Sequence, residues 1–207
     1  MKILVSVDDG CALDTKIAKL CEKYSFDAVF FWPVDFITLA IQKGYEPLSG
    51  IQESYISRNF EIGSHGVTHA YLTKIPLEAA KMEIEESKKM LENKYDQNIN
   101  RFCYPRGYAN ESIIKFVKEA GYTYGRSTAI GYIGEPNNNL FAETSVHIGC
   151  PVRPEYQGTT WQEYGLKLAK EAASKNLLFH IWCHSWEIEK YNQWREVNKF
   201  FKEVSKL

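Results

Sequence analysis

The stretch from Glu61 to His69 holds two of the chain's five histidines, His65 and His69, behind a short apolar run and among small residues that let the backbone turn. Two imidazoles four residues apart can reach one metal ion, but two nitrogens alone make a poor site. For a hydrolytic metal the missing donor is an oxygen. The best candidate lies at Asp8-Asp9-Gly10, where the β-branched run from Ile3 to Val7 ends. Two adjacent carboxylates repel each other, and one of them can instead cap the following turn. A divalent cation reverses that balance by favouring both ionised forms. Because side chains alternate along a strand, one acid can bind metal while its neighbour faces the reacting water. Two histidines and one carboxylate leave coordination positions open, the mark of a catalytic metal. The competing reading of His65 and His69 is a pair of hydrogen-bonding loop residues.

The remaining histidines divide by context. His184 lies just past the apolar run from Leu177 to Trp182, where solvent and substrate can reach it, and is preferred as the titrating group. His180 shares its strand parity but sits within the run, packed and satisfied by a hydrogen bond. His147 falls inside a strand, and its structural reading is favoured.

These residues must be positioned by elements that the patterning predicts. Strands are expected at Ile3 to Val7, Ala28 to Trp32, Phe60 to Ile62, Arg101 to Tyr104, Tyr122 to Arg126, Thr144 to Ile148 and Leu177 to Trp182. Helices are expected from about Leu13 to Lys23, from Pro76 to about Tyr95 and from Asn110 towards Gly121, with short helices and loop up to Arg58. Thr160-Trp161-Gln162-Glu163 is a capping box opening another helix, and Trp194, Val197, Phe201 and Val204 share a face of the last. Strands alternating with helices argue for an α/β fold with a mainly parallel sheet, open or closed into a barrel. In both forms ligands bind at the carboxyl ends of the strands. Asp8-Asp9, His65 with His69, Pro105-Arg106-Gly107 and His184 all fall there.

Composition narrows the classes. At 207 residues the chain suits a single domain, 1–207, able to bury a substantial core. A net charge of -1 offers no footprint for nucleic acid or an anionic membrane surface, and no apolar run approaches membrane-spanning length. Five widely spaced cysteines without a CxxC pair read as reduced thiols. With no signal peptide visible at the N-terminus, a cytoplasmic protein is the expectation. Some of the 13 Tyr, 11 Phe and 5 Trp suit a sugar-binding groove.

Taken in order, these motifs resemble the polysaccharide deacetylase (NodB-homology) family, carbohydrate esterase family 4. Val7-Asp8-Asp9-Gly10 is similar to its first motif, Ser64 to His69 to its second, Phe102 to Asn110 to its third, and His184-Ser185-Trp186-Glu187 to its fifth. The resemblance implies a distorted (β/α)-barrel of about seven β/α units and one divalent metal per chain, usually zinc, held by Asp9, His65 and His69. It implies that Asp8 is the general base for the attacking water and that His184 protonates the departing amine. It also implies that the backbone near Arg106 stabilises the oxyanion and that Tyr104 and Trp186 belong to the substrate pocket. The third motif often carries an arginine that positions the base. Cys103 stands there instead, which leaves Arg101, Arg106 and Arg126 as candidates for the role, and no fourth motif is recognisable between Tyr122 and Gly149. The expected activity is removal of the N-acetyl group from an amino sugar in a glycan. Hydrolysis of another non-peptide C–N bond and glycan binding without turnover are the alternatives.

Overall fold

Strands form where β-branched and aromatic residues run together. They are β1 (Lys2–Asp8), β2 (Asp27–Trp32), β3 (Glu61–Ser64), β4 (Arg101–Cys103), β5 (Tyr124–Arg126), β6 (Val146–His147) and β7 (Leu178–Cys183). The computed structural model describes residues 1–207 and joins all seven in one parallel sheet, ordered β5-β4-β3-β2-β1-β7-β6. The helices are α1 (Asp14–Tyr24), α2 (Phe36–Lys43), α3 (Gly50–Asn59), α4 (Leu77–Tyr95), α5 (Glu111–Glu119), α6 (Trp161–Ser174), α7 (Ser185–Lys190) and α8 (Trp194–Val204). The distorted (β/α)-barrel expected from the sequence is the fold found. No helix is long and apolar enough to cross a membrane.

The distortion lies where the curved sheet closes. β5 and β6 stand at its two ends, and residues 127–145 bridge them through irregular backbone bonds. Ala142 N–H donates to Gly125 O (2.7 Å), Ser127 N–H to Ala142 O (2.9 Å), and Thr144 N–H to Ala129 O (2.9 Å). On the far side Ser145 N–H donates to His180 O (2.8 Å), which fastens the segment to β7.

Strand parity then sorts the side chains. Val5, Val7, Phe30, Trp32, Phe102, Tyr104, Phe179 and Ile181 point outward into the core shared with the helices. Leu4, Val29, Phe31 and Cys103 point inward and form a small apolar plug. The same inward parity carries Asp8, Arg126 and His184 to the carboxyl ends of their strands. The helices cover the outer face with narrow stripes: α4 buries Ala80, Ile84, Ser87 and Leu91, and α8 buries Val197, Phe200, Phe201 and Val204. Each of the buried Ile, Leu, Val and Phe side chains among them contributes about 1.5–3 kcal/mol. One boundary differs from expectation: Pro76 is the residue before α4 rather than its first turn. The segment after His184, to which the patterning assigned no element, forms the helix α7.

Candidate active site

Asp8 ends β1, and the residues that follow it leave the strand at once. Asp9 adopts φ 86°, and His69 and Arg106, in the neighbouring loops, sit at φ 61° and 62°. Three non-glycine residues in the left-handed region at one rim store backbone strain, on the order of 1–3 kcal/mol each, where function gathers. The turn at Asp9 breaks the strand alternation that would have sent the two acids apart. Both carboxylates instead face His184, whose Nε2 is 3.9 Å from Asp8 Oδ2 and 3.6 Å from Asp9 Oδ2. Gly10 completes the turn at φ 73°, where a Cβ would stand 2.9 Å from the Phe36 side chain.

Asp9, His65 and His69 form one group. Asp9 Oδ1 lies 3.7 Å from His65 Nε2 and 3.6 Å from His69 Nε2, is buried, and has no hydrogen-bond partner. In a tetrahedral site with metal–donor bonds of about 2.1 Å, donors lie roughly 3.4 Å apart, so these separations suit a divalent cation. His65 Nδ1–H donates to Cys103 O (2.7 Å), which fixes the tautomer and turns the Nε2 lone pair towards Asp9. Burial foremost keeps both imidazoles neutral, lowering His65 and pushing His69 down to about 3. Burial works to raise Asp9, but the positive charges of His184 and Lys43 hold it ionised, well below the usual range. An ionised, unpartnered oxygen faced by two imidazole Nε2 atoms is a group that could hold a divalent cation.

Asp8 is served differently. Arg126 donates through Nη2 to Asp8 Oδ2 and to Cys103 Sγ (2.8 Å), and it stacks over Trp182 (4.9 Å) and Phe31 (5.4 Å). Burial pushes the Asp8 carboxyl up, yet Arg126 above all, with His184, keeps it below its ordinary value. Asp8, His65 and Cys103 also stand close enough together to suggest a second cation site. The guanidinium already fills that role, and burial keeps the Cys103 thiol protonated. Of the three candidate arginines, Arg126 is the one that reaches the acid. Arg101 Nε pairs with Glu61 (2.8 and 2.9 Å), and exposed Arg106 lies over the Tyr71 ring (5.8 Å).

His184 Nδ1–H donates to Glu187 Oε2 (2.7 Å), which leaves Nε2 facing the two aspartates. The same Glu187 oxygen is 2.9 Å from His147 Nε2, and the His147 ring lies flat on Trp182 at 3.7 Å between centroids. Burial would lower His184, but Asp9 and Glu187 outweigh it and favour the imidazolium. His180 has no such company. Its Nε2 is 3.0 Å from Ser6 Oγ and its Nδ1 3.3 Å from Tyr124 Oη, and burial keeps it neutral.

Trp186 lies at the rim of the site, stacked on Tyr45 (5.9 Å, 7°), with its Nε1–H donated to Asp9 Oδ2 (3.0 Å). Tyr104 does not line the pocket. It follows inward-facing Cys103 and so points to the opposite face, packed edge-on to Phe102 with its hydroxyl donating to Leu140 O (2.6 Å). Sequence reasoning missed Lys43, Tyr45, and the parts played by Glu187 and His147. Glu187 carried a signal, since three residues after His184 is one turn of a helix. A cavity of about 720 Å³ opens at the other mouth of the barrel, lined by Asp27, Glu61, Arg101 and Glu135, and none of the groups above lines it.

The family model for polysaccharide deacetylase matches residues 1–125. The chain is similar to the peptidoglycan-N-acetylglucosamine deacetylase of Bacillus cereus, 28% identical over 122 residues that cover 58% of this chain and 53% of that protein. The chain spans about half the length of the curated relatives it matches. Among solved structures it is similar to BC0361, a polysaccharide deacetylase from Bacillus cereus, with TM-score 0.55 and 25% identity over 69% of this chain and 46% of that one. The Xyl-CE4 domain of a multidomain xylanase from the hindgut metagenome of Trinervitermes trinervoides shares the fold across 99% of this chain and 83% of its own, with TM-score 0.62 and 15% identity.

Proposed function

This chain belongs to the polysaccharide deacetylase family, and from that membership we propose that it hydrolyses the N-acetyl group of an amino sugar in a glycan or glycoconjugate and releases acetate. We assign it one divalent metal, zinc by the character of the donor set, which Asp9, His65 and His69 would hold. Bound there, the ion would supply Lewis-acid polarisation and lower the pKa of water.

The chain's own groups divide the proton work. Asp8, kept ionised by Arg126, takes the proton of the attacking water, and its pairing with the guanidinium holds the accepting oxygen in place. His184, whose Nδ1–H is donated to Glu187, presents Nε2 to the site and passes a proton from it to the departing amine nitrogen. The backbone amide of Arg106, in its left-handed turn, stabilises the developing oxyanion. Trp186 and Tyr45 wall the space for the acetyl methyl.

The observation that carries this reading is the geometry of one cluster. Asp8 paired with Arg126, and His184 paired with Glu187, flank the buried, unpartnered Oδ1 of Asp9, which faces the Nε2 atoms of His65 and His69. The substrate class is supported by the Bacillus cereus relative, named for deacetylating peptidoglycan N-acetylglucosamine. The test is metal content together with acetate release from N-acetylglucosamine oligomers, for the parent and Asp8→Asn. We expect one equivalent of zinc in both and turnover lower by about 10³-fold in the variant. No specific metal in the reconstituted parent would remove the mechanism, and an active Asp8→Asn would remove the assigned base. A panel of formyl, acetyl and cyclic amides tells an acetyl-specific enzyme from a hydrolase of other C–N bonds.

A further inference from the structure

Lys43 belongs to none of the motifs that mark the site. It is the last residue of α2, where Gly44 at φ 76° ends the helix, and its side chain reaches the barrel rim with only 27% exposure. Its Nζ donates to Asp9 Oδ2 at 2.7 Å and lies 5.0 Å over the Trp186 ring. The two oxygens of Asp9 therefore have separate surroundings. Oδ2 is taken by the ammonium and by the Trp186 N–H, while Oδ1 is left bare towards His65 and His69.

We propose that Lys43 is a built-in counter-charge of the metal site, which neutralises Asp9 when the site is empty and weakens the grip on a divalent cation when it is filled. This rests on the reading of Asp9, His65 and His69 as metal ligands. Two effects of the ammonium oppose each other. By fixing Oδ2 it orients Oδ1 towards the imidazoles, which helps binding. By placing a positive charge on the same carboxylate it repels the incoming cation and draws electron density from the donor oxygen, which hinders binding.

The local structure decides between them. Asp9 does not depend on Lys43 for its placement, because Trp186 Nε1–H holds the same oxygen (3.0 Å), Tyr45 Oη donates to Asp9 O (3.1 Å), and Asp9 N–H donates to Phe31 O (3.1 Å). Removing the amine leaves the carboxylate anchored and takes away mainly charge. Even at an effective dielectric of about 20, a unit charge within several ångströms of a divalent ion shifts binding by more than about tenfold. The empty site responds in the opposite sense. Without Lys43 two adjacent buried acids share fewer positive partners, so the metal-free fold loses stability.

The experiment is a zinc titration in competition with a chromogenic chelator, with thermal melts of the metal-free protein, on the parent, Lys43→Met and Lys43→Arg. Lys43→Met is expected to bind zinc at least about tenfold more tightly while its metal-free Tm falls. Lys43→Arg, which keeps the charge, should retain the parent's affinity. A merely structural lysine would lower the Tm without tightening zinc. Lys43→Gln reports the same loss of charge should the Met variant not fold. Zinc binding in Lys43→Met equal to or weaker than in a zinc-binding parent would overturn the inference and leave the metal site standing. Tight zinc in the variant alone would support it, and no zinc in either would overturn the metal site and the inference together.

Discussion

Cys103 and Arg126 stand directly opposite each other across the β4–β5 pair, and the guanidinium passes over the thiol to reach Asp8. The positive charge beside Asp8, the proposed base, therefore comes from β5, whereas the family resemblance read from the sequence places it on β4. Because the two positions are register partners of the same parity, exchanging their side chains should move the charge back without emptying the space. Arg126→Cys alone leaves a buried carboxylate unpaired, which costs roughly 3–5 kcal/mol of stability, and turnover should fall by about 10²-fold or more. The double exchange Cys103→Arg with Arg126→Cys is expected to recover a large part of both. Thermal melts and acetate release measure the recovery, and a double variant no better than the single one would mean that position, not charge, is what Asp8 needs.

In the proposed mechanism turnover requires Asp8 ionised and His184 protonated. Arg126 favours the ionised form of Asp8 and Glu187 the protonated form of His184, so the rate is expected to fall as pH rises through the His184 pKa. Glu187→Gln removes one of the charges that raise His184. Its alkaline limb is expected to move to lower pH, so that the variant loses more of its kcat at pH 8 than at pH 6. An alkaline limb that stays in place in a pH–rate profile of Glu187→Gln would mean that another group sets it.

Asp14 is fully buried near the start of the chain's first helix. One of its oxygens accepts from Ser185, the first residue of α7, and the other has no partner. Burial foremost, then the charge of Asp9, raises its pKa well above 3.8, against the partial relief of Ser185 and Trp32. An acid raised on folding contributes its full stability below the unfolded value and loses it as pH climbs towards the folded one. Asn carries no such dependence. Asp14→Asn should therefore match or trail the parent near pH 4 and gain on it steadily towards pH 8. The Tm difference measured across that range should widen, and a constant difference would show that Asp14 takes up no proton on folding.

Much of the site was readable because strand parity is a rigid rule. Asp8 shares the face of Leu4 and Ser6, and His184 that of His180 and Trp182, so once the strands were placed their inward direction followed. The same rule places Tyr104 opposite Cys103 and on the outer face, a signal present in the sequence. Other features had no local cause. The left-handed turn at Asp9 depends on Gly10 passing tightly under Phe36. Choosing among Arg101, Arg106 and Arg126 required the register of β4 on β5. Lys43 meets Asp9 across 34 residues from the end of a helix, where periodicity says nothing about reach. α7, six residues long, is too short for a helical period to show, and the segment 127–145 binds to strands that are not its sequence neighbours.

That segment has a cost in use. The proposed metal ligands arise at β1 and β3, inside the regularly paired part of the sheet, whereas Arg126 and His147 arise at the two ends that irregular backbone bonds draw together. Local opening begins where pairing is least regular. On warming, the supports of base and acid would drift before the ligands do, producing a molecule that still carries its ion and most of its helices yet no longer turns over. Such a preparation would pass a metal assay and a circular-dichroism check as intact, and only a rate would reveal it as spent.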